Sequence, residues 1–507
     1  MNSRRDFLKQ AAALGAAGVL PASIRRALAI DPAPGSTWKD AEHVVILMQE
    51  NRSFDHCFGT LRGVRGFSDP RALTLPDGLP VWLQTNAAGQ THVPFPLRLT
   101  ETKSTWMQSL PHSWADQTAA RHGGHHDRWL IAKKPGRREY ADLPMTLGYY
   151  TRDDLPFYYA LADSFTVCDQ NFCSSLTGTT PNRLYLWTGT IRPEPRPDSP
   201  AALRNSDVEY DREASWTTFP ERLESLGISW RVYQNELSLP TGLTDDESAW
   251  LANFTDNPLE WFTQFHVRFS PAHRAWLAAR EKELLAFLDL PAAAPGAPRT
   301  AEENAALEKV RRQWEHTREQ LAKWSTANFD GLTPNEKALH DRAFTTNSGD
   351  PDWHRLTTLS YQDGAATRTM DVPAGDVLHQ FREDVAAGRL PAVSWLVAPQ
   401  HFSDHPESPW YGAWYLAEAF DILTKNPEVW RRTVFILCYD ENDGWFDHVP
   451  PFTAPAPGRP ETGAVSPGLD AAAEYITAEQ EAAWRLKNPK GALAEGPIGL
   501  GFRVPLA

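Results

Sequence analysis

An acidic segment directly follows an apolar run near residue 440. The run Val434–Cys438 is typical of a buried strand, and Asp440, Glu441 and Asp443 follow it almost at once. Carboxylates so close together repel one another unless water solvates them or a cation offsets their charge. Because ligands collect at the carboxyl ends of strands in open α/β sheets, the segment is a candidate cation site. A solvated acidic turn is the alternative interpretation.

Two other apolar runs lead into polar residues of the same kind. The run His43–Met48 is followed by Glu50 and Asn51, and a later run is followed by Asp404 and His405. Carboxylate and amide oxygens are ligands that suit a divalent cation. If these runs are strands of one sheet, their carboxyl ends would bring the polar side chains towards the acidic segment.

A hydroxyl-rich turn supplies a candidate nucleophile. The segment Ser174–Thr180 contains Gly178 and precedes Pro181, which is typical of a helix that begins with proline in its first turn. Free backbone amides and the helix dipole favour an anion there, and a simple capping turn is the alternative. Beside a cation, the Thr179 hydroxyl would suit phosphate-ester hydrolysis through attack on phosphorus, with nearby histidines moving the protons.

Periodicity predicts the elements that must position these groups. Apolar runs and helical patterns alternate along the chain, which indicates a large α/β domain. Residues from about 240 to 360 are rich in charged residues and tryptophan, and we expect a helical insertion there, interrupted by a loop at 291–298. The predicted strands are His43–Met48, Ser164–Cys168, Ile228–Tyr233, Ala392–Val397 and Val434–Cys438, and a helix is predicted at Leu155–Ala162.

The first 29 residues are predicted to be an export signal. Twin arginines, Arg4 and Arg5, precede the apolar stretch Ala11–Leu20 and then the small residues Ala27 and Ala29 of a cleavage site. This arrangement indicates export by the twin-arginine machinery, with cleavage after Ala29. No other apolar stretch approaches the ~20 residues that a membrane span needs. We therefore expect a periplasmic or extracellular protein without a transmembrane span.

Charge and cysteine content narrow the functional classes. The chain carries a formal charge of −14, and loss of a basic signal would make it more negative, which argues against nucleic acid as a partner. Among the four cysteines, Cys168 and Cys173 are the pair close in sequence, and we expect a disulfide between them.

Two further clusters leave their roles open. The stretch His122–Asp127 contains three histidines and is either the rim of a loop or a metal site. The aromatic group Trp410–Tyr415 is either part of the core or a cage for a cation.

Five long segments of the chain carry a resemblance to known proteins. They are ILMQENRSFDHCFGTLRGVRGF, TGTTPNRLYLWTGT, FREDVAAGRLPAVSWLVAP, FSDHPESPWYGAWY and TVFILCYDENDGWFDHVPPF. These segments resemble a bacterial phosphoesterase family that includes phosphocholine-preferring phospholipases C of the non-haemolytic type and periplasmic acid phosphatases. The resemblance extends from residue 43 to residue 507 and implies an alkaline-phosphatase-like α/β fold, a three-layer sandwich with a central, mostly parallel sheet.

The resemblance also implies roles for individual residues. Thr179 would be the nucleophile, although the adjacent hydroxyl of Thr180 means that this choice depends on alignment to Pro181. One divalent ion, calcium, magnesium, manganese or zinc, would be bound by Glu50, Asn51, Asp440 and Glu441. The phosphate pocket would be lined by His112, His405 and His448, with Asp404 beside them.

The activity that the resemblance implies is phospholipase C. A catalytic domain at residues 30–507 would cleave phosphatidylcholine, at a membrane or micelle surface, to diacylglycerol and phosphocholine through a covalent phosphothreonine. An acid phosphatase of the same fold is the close alternative. Because members of the phospholipase branch continue past the strand that contains Arg503-Val504-Pro505, we also expect a truncated C-terminal end. A truncated, inactive binding protein is therefore the third hypothesis.

Overall fold

A four-stranded parallel sheet lies at the centre of the molecule. The computed structural model describes residues 20–102, 107–290, 299–406, 408–487 and 494–507. The strands are His43–Gln49 (β1), Trp230–Gln234 (β2), Val393–Val397 (β3) and Thr433–Tyr439 (β4). Their order is β4-β1-β3-β2, and every neighbouring pair is parallel. The sequence predicted these strands with bounds that differ by at most two residues.

The sheet is buried on both faces. In β1, Val45 and Leu47 pack into one hydrophobic core, whereas Ile46 packs against the other. In β3, Leu396 joins the first core and Trp395 the second. Strands that are apolar on both faces are typical of a parallel sheet covered by helices on each side. The expected three-layer α/β sandwich is confirmed.

Helices cover each face of the sheet. Those with side chains in the core of Val45 are Ala22–Ala29, Phe54–Phe58, Pro156–Ser164, Asp245–Leu251, His379–Ala386, Pro409–Lys425 and Pro427–Trp430. Those with side chains in the opposite core are Trp114–Arg121, Thr179–Thr188, Phe219–Ser225 and Pro334–Ala343. Capping boxes begin several of them, as at Thr218, whose hydroxyl accepts from the Glu221 amide.

The region from 240 to 360 contains the longest helices. Pro271–Leu288 and Ala301–Lys323 pack against each other, and the short helix Thr326–Asp330 follows them. An antiparallel hairpin of Leu356–Asp363 and Ala366–Pro373 begins within this region and was not predicted. Its strands are largely exposed, so they lack the alternation of apolar residues that reveals a half-buried strand. The predicted loop at 291–298 lies outside the described residues.

Short elements complete the described chain. The remaining helices are Leu99–Thr102, Trp129–Ala132 and Ala478–Lys487. The remaining strand pairs are Gln84–Thr85 with Thr91–His92, Phe95–Pro96 with Gly148–Tyr149, and Tyr475–Ile476 with Gly496–Pro497. At the C-terminal end, Leu437 and Ala507 exchange two backbone hydrogen bonds of 2.9 Å. This segment therefore extends the sheet beyond β4 in an antiparallel direction.

Two sequence predictions between residues 164 and 173 are wrong. Ser164 ends a helix instead of beginning a strand. Cys168 and Cys173 are free thiols. Their backbone amides donate to the carbonyl oxygens of Leu506 and Phe502, which lie four residues apart on the C-terminal segment. At ~3.3 Å per extended residue, this spacing holds the two thiols too far apart for a disulfide.

The N-terminal helix packs on the folded domain. Ile24 and Ala27 are buried, and the Trp430 indole donates to the Ala27 carbonyl oxygen at 3.2 Å. Cleavage after Ala29 stays a prediction, and the twin arginines lie outside the described residues. Within the part of the chain that the structure describes, we find no helix that combines the length and the apolar character needed to cross a membrane.

Candidate active site

The carboxyl ends of β1 and β4 bring four predicted ligands together. Glu50 and Asn51 follow β1, and Asp440 and Glu441 follow its parallel neighbour β4. The Asn51 amide donates to Asp440 Oδ1 at 3.1 Å, and the Asp440 amide donates to the carbonyl oxygen of Gln49 at 3.1 Å. At most 2 % of each of the four ligand residues is exposed, so water does not solvate this acidic group.

Several oxygen atoms of this group accept no hydrogen bond although they are buried. They are Asn51 Oδ1, Asp440 Oδ2 and both carboxylate oxygens of Glu441. A buried acceptor without a donor destabilises the fold, so such atoms call for a ligand. Carboxylate and amide oxygens are the atoms that hard divalent cations bind. The predicted residues therefore fit a divalent ion.

Burial and mutual repulsion shift the pKa values of the three carboxylates among the four ligand residues. Burial and the neighbouring charge of Glu50 raise the pKa of Asp440 well above its usual range. Burial also raises the pKa of Glu441, to about 8, although nearby His112 opposes that shift. Burial raises the pKa of Glu50 too, but Arg183, His405 and hydrogen bonds together outweigh burial and lower the pKa to about 2. A divalent ion would offset the remaining negative charge.

Arg183 and Asp256 belong to the site but were not selected from the sequence. Arg183 Nη2 lies 2.7 Å from Glu50 Oε1 and 3.2 Å from Asp256 Oδ2, and its Nε lies 3.5 Å from Asp440 Oδ2. Arg183 is part of the TTPNR motif, so that motif could have revealed it. Asp256 comes from a loop that follows no strand, and nothing in its pattern distinguished it from a surface acid.

Replacing Arg183 by methionine is expected to lower the free energy of unfolding by about 3–5 kcal/mol, because buried carboxylates would lose their counter-charge. Urea denaturation of the metal-free protein measures the change. The matched control is Arg196→Met, since Arg196 pairs with Glu194 and Asp198 at the surface. Arg196→Met should lower the free energy of unfolding by about 1 kcal/mol or less. Equal effects of the two substitutions would contradict this account of the buried ion pairs.

Thr179 is the first residue of the helix Thr179–Thr188, as the proline position predicted. Its hydroxyl donates to Glu50 Oε2 at 3.3 Å. The turn before it is held by Asn182, whose side chain accepts from the Ser175 amide at 2.8 Å and donates to the Gly178 carbonyl oxygen at 3.0 Å. The asparagine of the TTPNR motif thus fixes the turn that presents Thr179 beside the acidic group.

Two predicted histidines lie next to Thr179. His405 Nε2 is 3.3 Å from the same Glu50 Oε2, and Ser403 Oγ lies 2.6 Å from its Nδ1. The ring of His112 packs against Gly178, where an added Cβ would lie 3.2 Å from His112 Cδ2. Gly178 therefore allows His112 to approach the start of the helix Thr179–Thr188.

Leu110 and Asp443 orient His112. His112 Nδ1 lies 2.7 Å from the Leu110 carbonyl oxygen and 3.0 Å from Asp443 Oδ1, which leaves Nε2 on the side of Glu441 Oε1 at 3.9 Å. Asp443 is itself held by the Leu110 amide at 2.8 Å and by Ser109 Oγ at 2.5 Å. Burial alone would lower the pKa of His112, but the Glu441 and Asp443 carboxylates raise it to about 10. The sequence placed Asp443 in the acidic segment but did not predict its contact with His112.

The other two predicted residues, Asp404 and His448, make contacts of a different kind. The Asp404 carboxylate accepts from the hydroxyls of Tyr158 and Tyr439 and packs against Gly412. His448 Nδ1 lies 2.6 Å from Asp55 Oδ2, in a buried network that also contains Arg503. Neither side chain hydrogen-bonds to Thr179 or to the four ligand residues. Their predicted places at the phosphate stay predictions.

Groups of His, Asp and Glu that could hold a metal occur twice in the described part of the chain. One group is His112, Glu441 and Asp443, and the other is Asp55, Asp447 and His448, with ligand atoms within 4.8 Å of one another. The carboxylates of the second group already accept from the Arg503 guanidinium. We interpret this second group as a structural ion-pair network.

The two sequence clusters with open roles are explained by packing. His122 Nδ1 lies 2.7 Å from Asp127 Oδ1, and buried His126 lies with Nε2 2.7 Å from the Asp447 carbonyl oxygen. Neither joins a metal-binding group among the residues described. In the aromatic stretch, Tyr415 is buried and the Trp414 ring packs 5.3 Å from the Phe402 ring. The loop and core interpretations therefore fit better than a metal site or a cation cage.

Two cavities open at the start of the helix Thr179–Thr188. One of about 620 Å³ is bordered by Thr179, and one of about 380 Å³ is bordered by Gly178. Both are also bordered by Asn205 and Ser206, which lie between them. The Thr180 amide donates to Asn205 Oδ1 at 3.0 Å, which ties this divider to the helix. A bound group could therefore extend from Thr179 in two directions.

Two known family models match this chain, one over most of its length and one at its N-terminus. Residues 41–292 and 337–507 match the Phosphoesterase family. Residues 1–21 match the signal sequence of the TAT (twin-arginine translocation) pathway. The chain thus carries an export signal, as the twin arginines predicted. The stretch 293–336, which includes the whole helix Ala301–Lys323, lies outside the family match.

Characterised relatives resemble nearly the whole chain. It is 35 % identical to a "Non-hemolytic phospholipase C" of Pseudomonas aeruginosa, covering 99 % of this chain and 56 % of the relative. A protein of the same name from Burkholderia pseudomallei is 35 % identical, with 99 % and 57 % covered. "Phospholipase C A" of Mycobacterium tuberculosis is 33 % identical, with 99 % and 75 % covered. The chain spans a little over half the length of the first two relatives. On the extent of these matches, the chain belongs to the phosphoesterase family.

Proposed function

We propose that this chain is a metal-dependent phosphodiester hydrolase of the phospholipase C type. It would cleave phosphatidylcholine to diacylglycerol and phosphocholine through a covalent intermediate on Thr179. The observation that carries the proposal is the Thr179 hydroxyl, at a helix N-terminus and 3.3 Å from Glu50, beside buried oxygens without donors. The names of the relatives support the reaction, and the export signal would deliver the enzyme to lipid outside the cytoplasm.

The first step forms a bond between Thr179 Oγ1 and phosphorus and breaks the bond from phosphorus to the diacylglycerol oxygen. Because the hydroxyl donates to Glu50 Oε2, the lone pairs of Thr179 Oγ1 face away from Glu50 and are free to attack phosphorus. Free amides in the first turn of the helix and the helix dipole favour the phosphate anion. A divalent ion held by Glu50, Asn51, Asp440 and Glu441 would neutralise phosphoryl oxygens and lower the pKa of the threonine hydroxyl.

The histidines move protons in this proposal. Burial lowers the pKa of His112, but the Glu441 and Asp443 carboxylates raise it above its usual value, and Nε2 can protonate the departing diacylglycerol oxygen. Nδ1 of the same ring lies 2.7 Å from the Leu110 carbonyl oxygen and 3.0 Å from Asp443 Oδ1. In the second step, His405 takes a proton from the water that attacks phosphorus, while Ser403 fixes the other ring nitrogen. The proton that Glu50 Oε2 accepts from the Thr179 hydroxyl in the first step returns to the threonine oxygen when its bond to phosphorus breaks, so phosphocholine and the free threonine hydroxyl result.

A comparison of two chromogenic esters tests this function. The exported chain is expected to hydrolyse p-nitrophenylphosphorylcholine with kcat/KM about tenfold or more above that for p-nitrophenyl phosphate, because a diester with a headgroup makes more contacts. The Thr179→Ala variant, purified in the same way, measures any contaminating activity. Hydrolysis of the monoester alone would favour an acid phosphatase. Absence of turnover on both esters would favour a binding protein.

A further inference from the structure

The larger cavity beside Thr179 has an aromatic and acidic lining. Its volume is about 620 Å³, and three rings, Phe254, Tyr210 and Trp261, line it together with the carboxylates of Glu209 and Asp211. No lysine or arginine is among its lining residues in the described chain. Ring faces attract cations, and they attract alkylated ammonium groups in particular because these are weakly hydrated. The lining therefore suits an organic cation better than an anion or a second phosphate.

The rings are held in place before any ligand binds. The Tyr210 hydroxyl donates to Glu260 Oε2 at 2.5 Å, and Trp261 is 4 % exposed. Phe254 has a backbone φ of 54° and packs edge-on against His405, with ring centroids 4.8 Å apart. Since side chains fixed in advance lose little entropy on binding, such a lining favours affinity for a small cation. The Phe254 contact also connects the cavity to the residues around Thr179.

The surrounding charges leave a net attraction for a cation. Glu209 pairs with Arg212 at 3.0 Å, so its charge is partly offset. Asp211 lies 3.8 Å from the same guanidinium and is 82 % exposed at its side chain. Arg268, with its guanidinium carbon 6.0 Å from the Tyr210 ring, pairs with Glu213 and borders a neighbouring cavity that shares Tyr210 and Asp211 with this one. Asp211 and the aromatic faces therefore supply most of the attraction.

The smaller cavity suits the other arm of a diester. It is bordered by His112, Trp114 and Arg204 and is separated from the larger cavity by Asn205 and Ser206. Since the aromatic and acidic lining of the larger cavity suits a cationic arm, the other arm of the diester extends into the smaller cavity.

We propose that the larger cavity binds the trimethylammonium group of the substrate, with Phe254 and Asp211 as specificity-determining residues. This inference rests on the phosphodiesterase function proposed above. It assigns the cationic headgroup to the side of His405 and the diacylglycerol to the side of His112. Phosphatidylcholine would thus be selected over diesters that carry no cation.

Binding of choline alone tests the cavity without any turnover. In calorimetric titrations, choline is expected to bind the full chain more tightly than 3,3-dimethylbutanol, its uncharged counterpart of the same shape. Phe254→Leu keeps the apolar bulk but removes the ring, and should raise the Kd for choline about fivefold. Asp211→Asn should raise it about threefold. Phe219→Leu is the matched control, since Phe219 is 42 % exposed against 45 % for Phe254 and lies outside the cavity lining.

Turnover separates this inference from the proposed function. The ratio of kcat/KM for p-nitrophenylphosphorylcholine to that for bis-p-nitrophenyl phosphate should fall in Phe254→Leu and Asp211→Asn and stay unchanged in Phe219→Leu. Choline binding that these variants weaken supports the cavity even if no diester is cleaved, in which case the proposed function alone fails. Failure to bind choline, or binding that both variants leave unchanged, overturns the inference even where diesters are cleaved.

Discussion

Thr179→Ala is expected to lower kcat for p-nitrophenylphosphorylcholine by about 10⁴-fold or more, because the covalent route needs the threonine oxygen. Metal content should not change, since Thr179 supplies no oxygen to the predicted ligand set. Steady-state kinetics and elemental analysis of the same preparation measure the two effects. A large loss of activity together with unchanged metal content would show that Thr179 acts at the reacting phosphorus.

The adjacent threonine provides the matched control. The Thr180 side chain is buried, and its amide is engaged with Asn205, whereas the Thr179 hydroxyl reaches Glu50. Thr180→Ala is therefore expected to retain most of the activity. If Thr180→Ala were inactive and Thr179→Ala active, the alignment to Pro181 would have selected the wrong hydroxyl.

Removal of the divalent ion should abolish turnover and destabilise the fold. Buried carboxylates that crowd one another need a counter-charge, which a bound ion supplies. An ion present at 100 times its Kd raises the free energy of unfolding by about 2.7 kcal/mol, so chelation should lower Tm measurably. Dialysis against a chelator, followed by activity and thermal unfolding with added calcium, magnesium, manganese or zinc, measures both effects and identifies the ion.

Single substitutions locate the ion. Asp440→Asn should lower the metal content of the purified chain, because Asp440 Oδ2 is one of the buried atoms without a hydrogen-bond donor. Asp384→Asn is the control, since that carboxylate is similarly buried but both of its oxygens accept hydrogen bonds, from Arg231, Tyr233, Gln380 and Arg389. Full activity after exhaustive chelation would contradict a metal requirement. Metal loss in Asp384→Asn and not in Asp440→Asn would place the ion elsewhere.

The sequence predicted the sheet because its strands are buried on both faces. Runs such as His43–Met48 and Val434–Cys438 are continuous and apolar, and few other structures explain them. The polar residues after these strands could be placed together from the general rule that ligands gather at carboxyl ends. The exposed hairpin Leu356–Asp363 with Ala366–Pro373 could not be predicted, since no core specifies its pattern.

Residues of the site that follow no strand were harder to find. Asp256 reaches Arg183 from a loop in which Phe254 and Thr255 both have positive φ, and no periodicity reports such a bend. Asp443 was seen in the sequence, but its contact with His112 joins segments more than 300 residues apart. His448 lies close in sequence to Glu441, yet the chain turns between them and His448 joins Asp55 instead. The closeness of Cys168 and Cys173 in sequence likewise led to a wrong prediction, that of a disulfide between them.

Trapping of the covalent intermediate tests the central claim most directly. The metal-loaded chain would be mixed with excess p-nitrophenylphosphorylcholine, quenched in acid within one turnover, digested and analysed by mass spectrometry. We predict a phosphorylcholine group on Thr179 in the peptide that contains the TTPNR motif, and none in Thr179→Ala. Modification of another residue, or turnover at the full rate by Thr179→Ala with no modified peptide, would contradict the account.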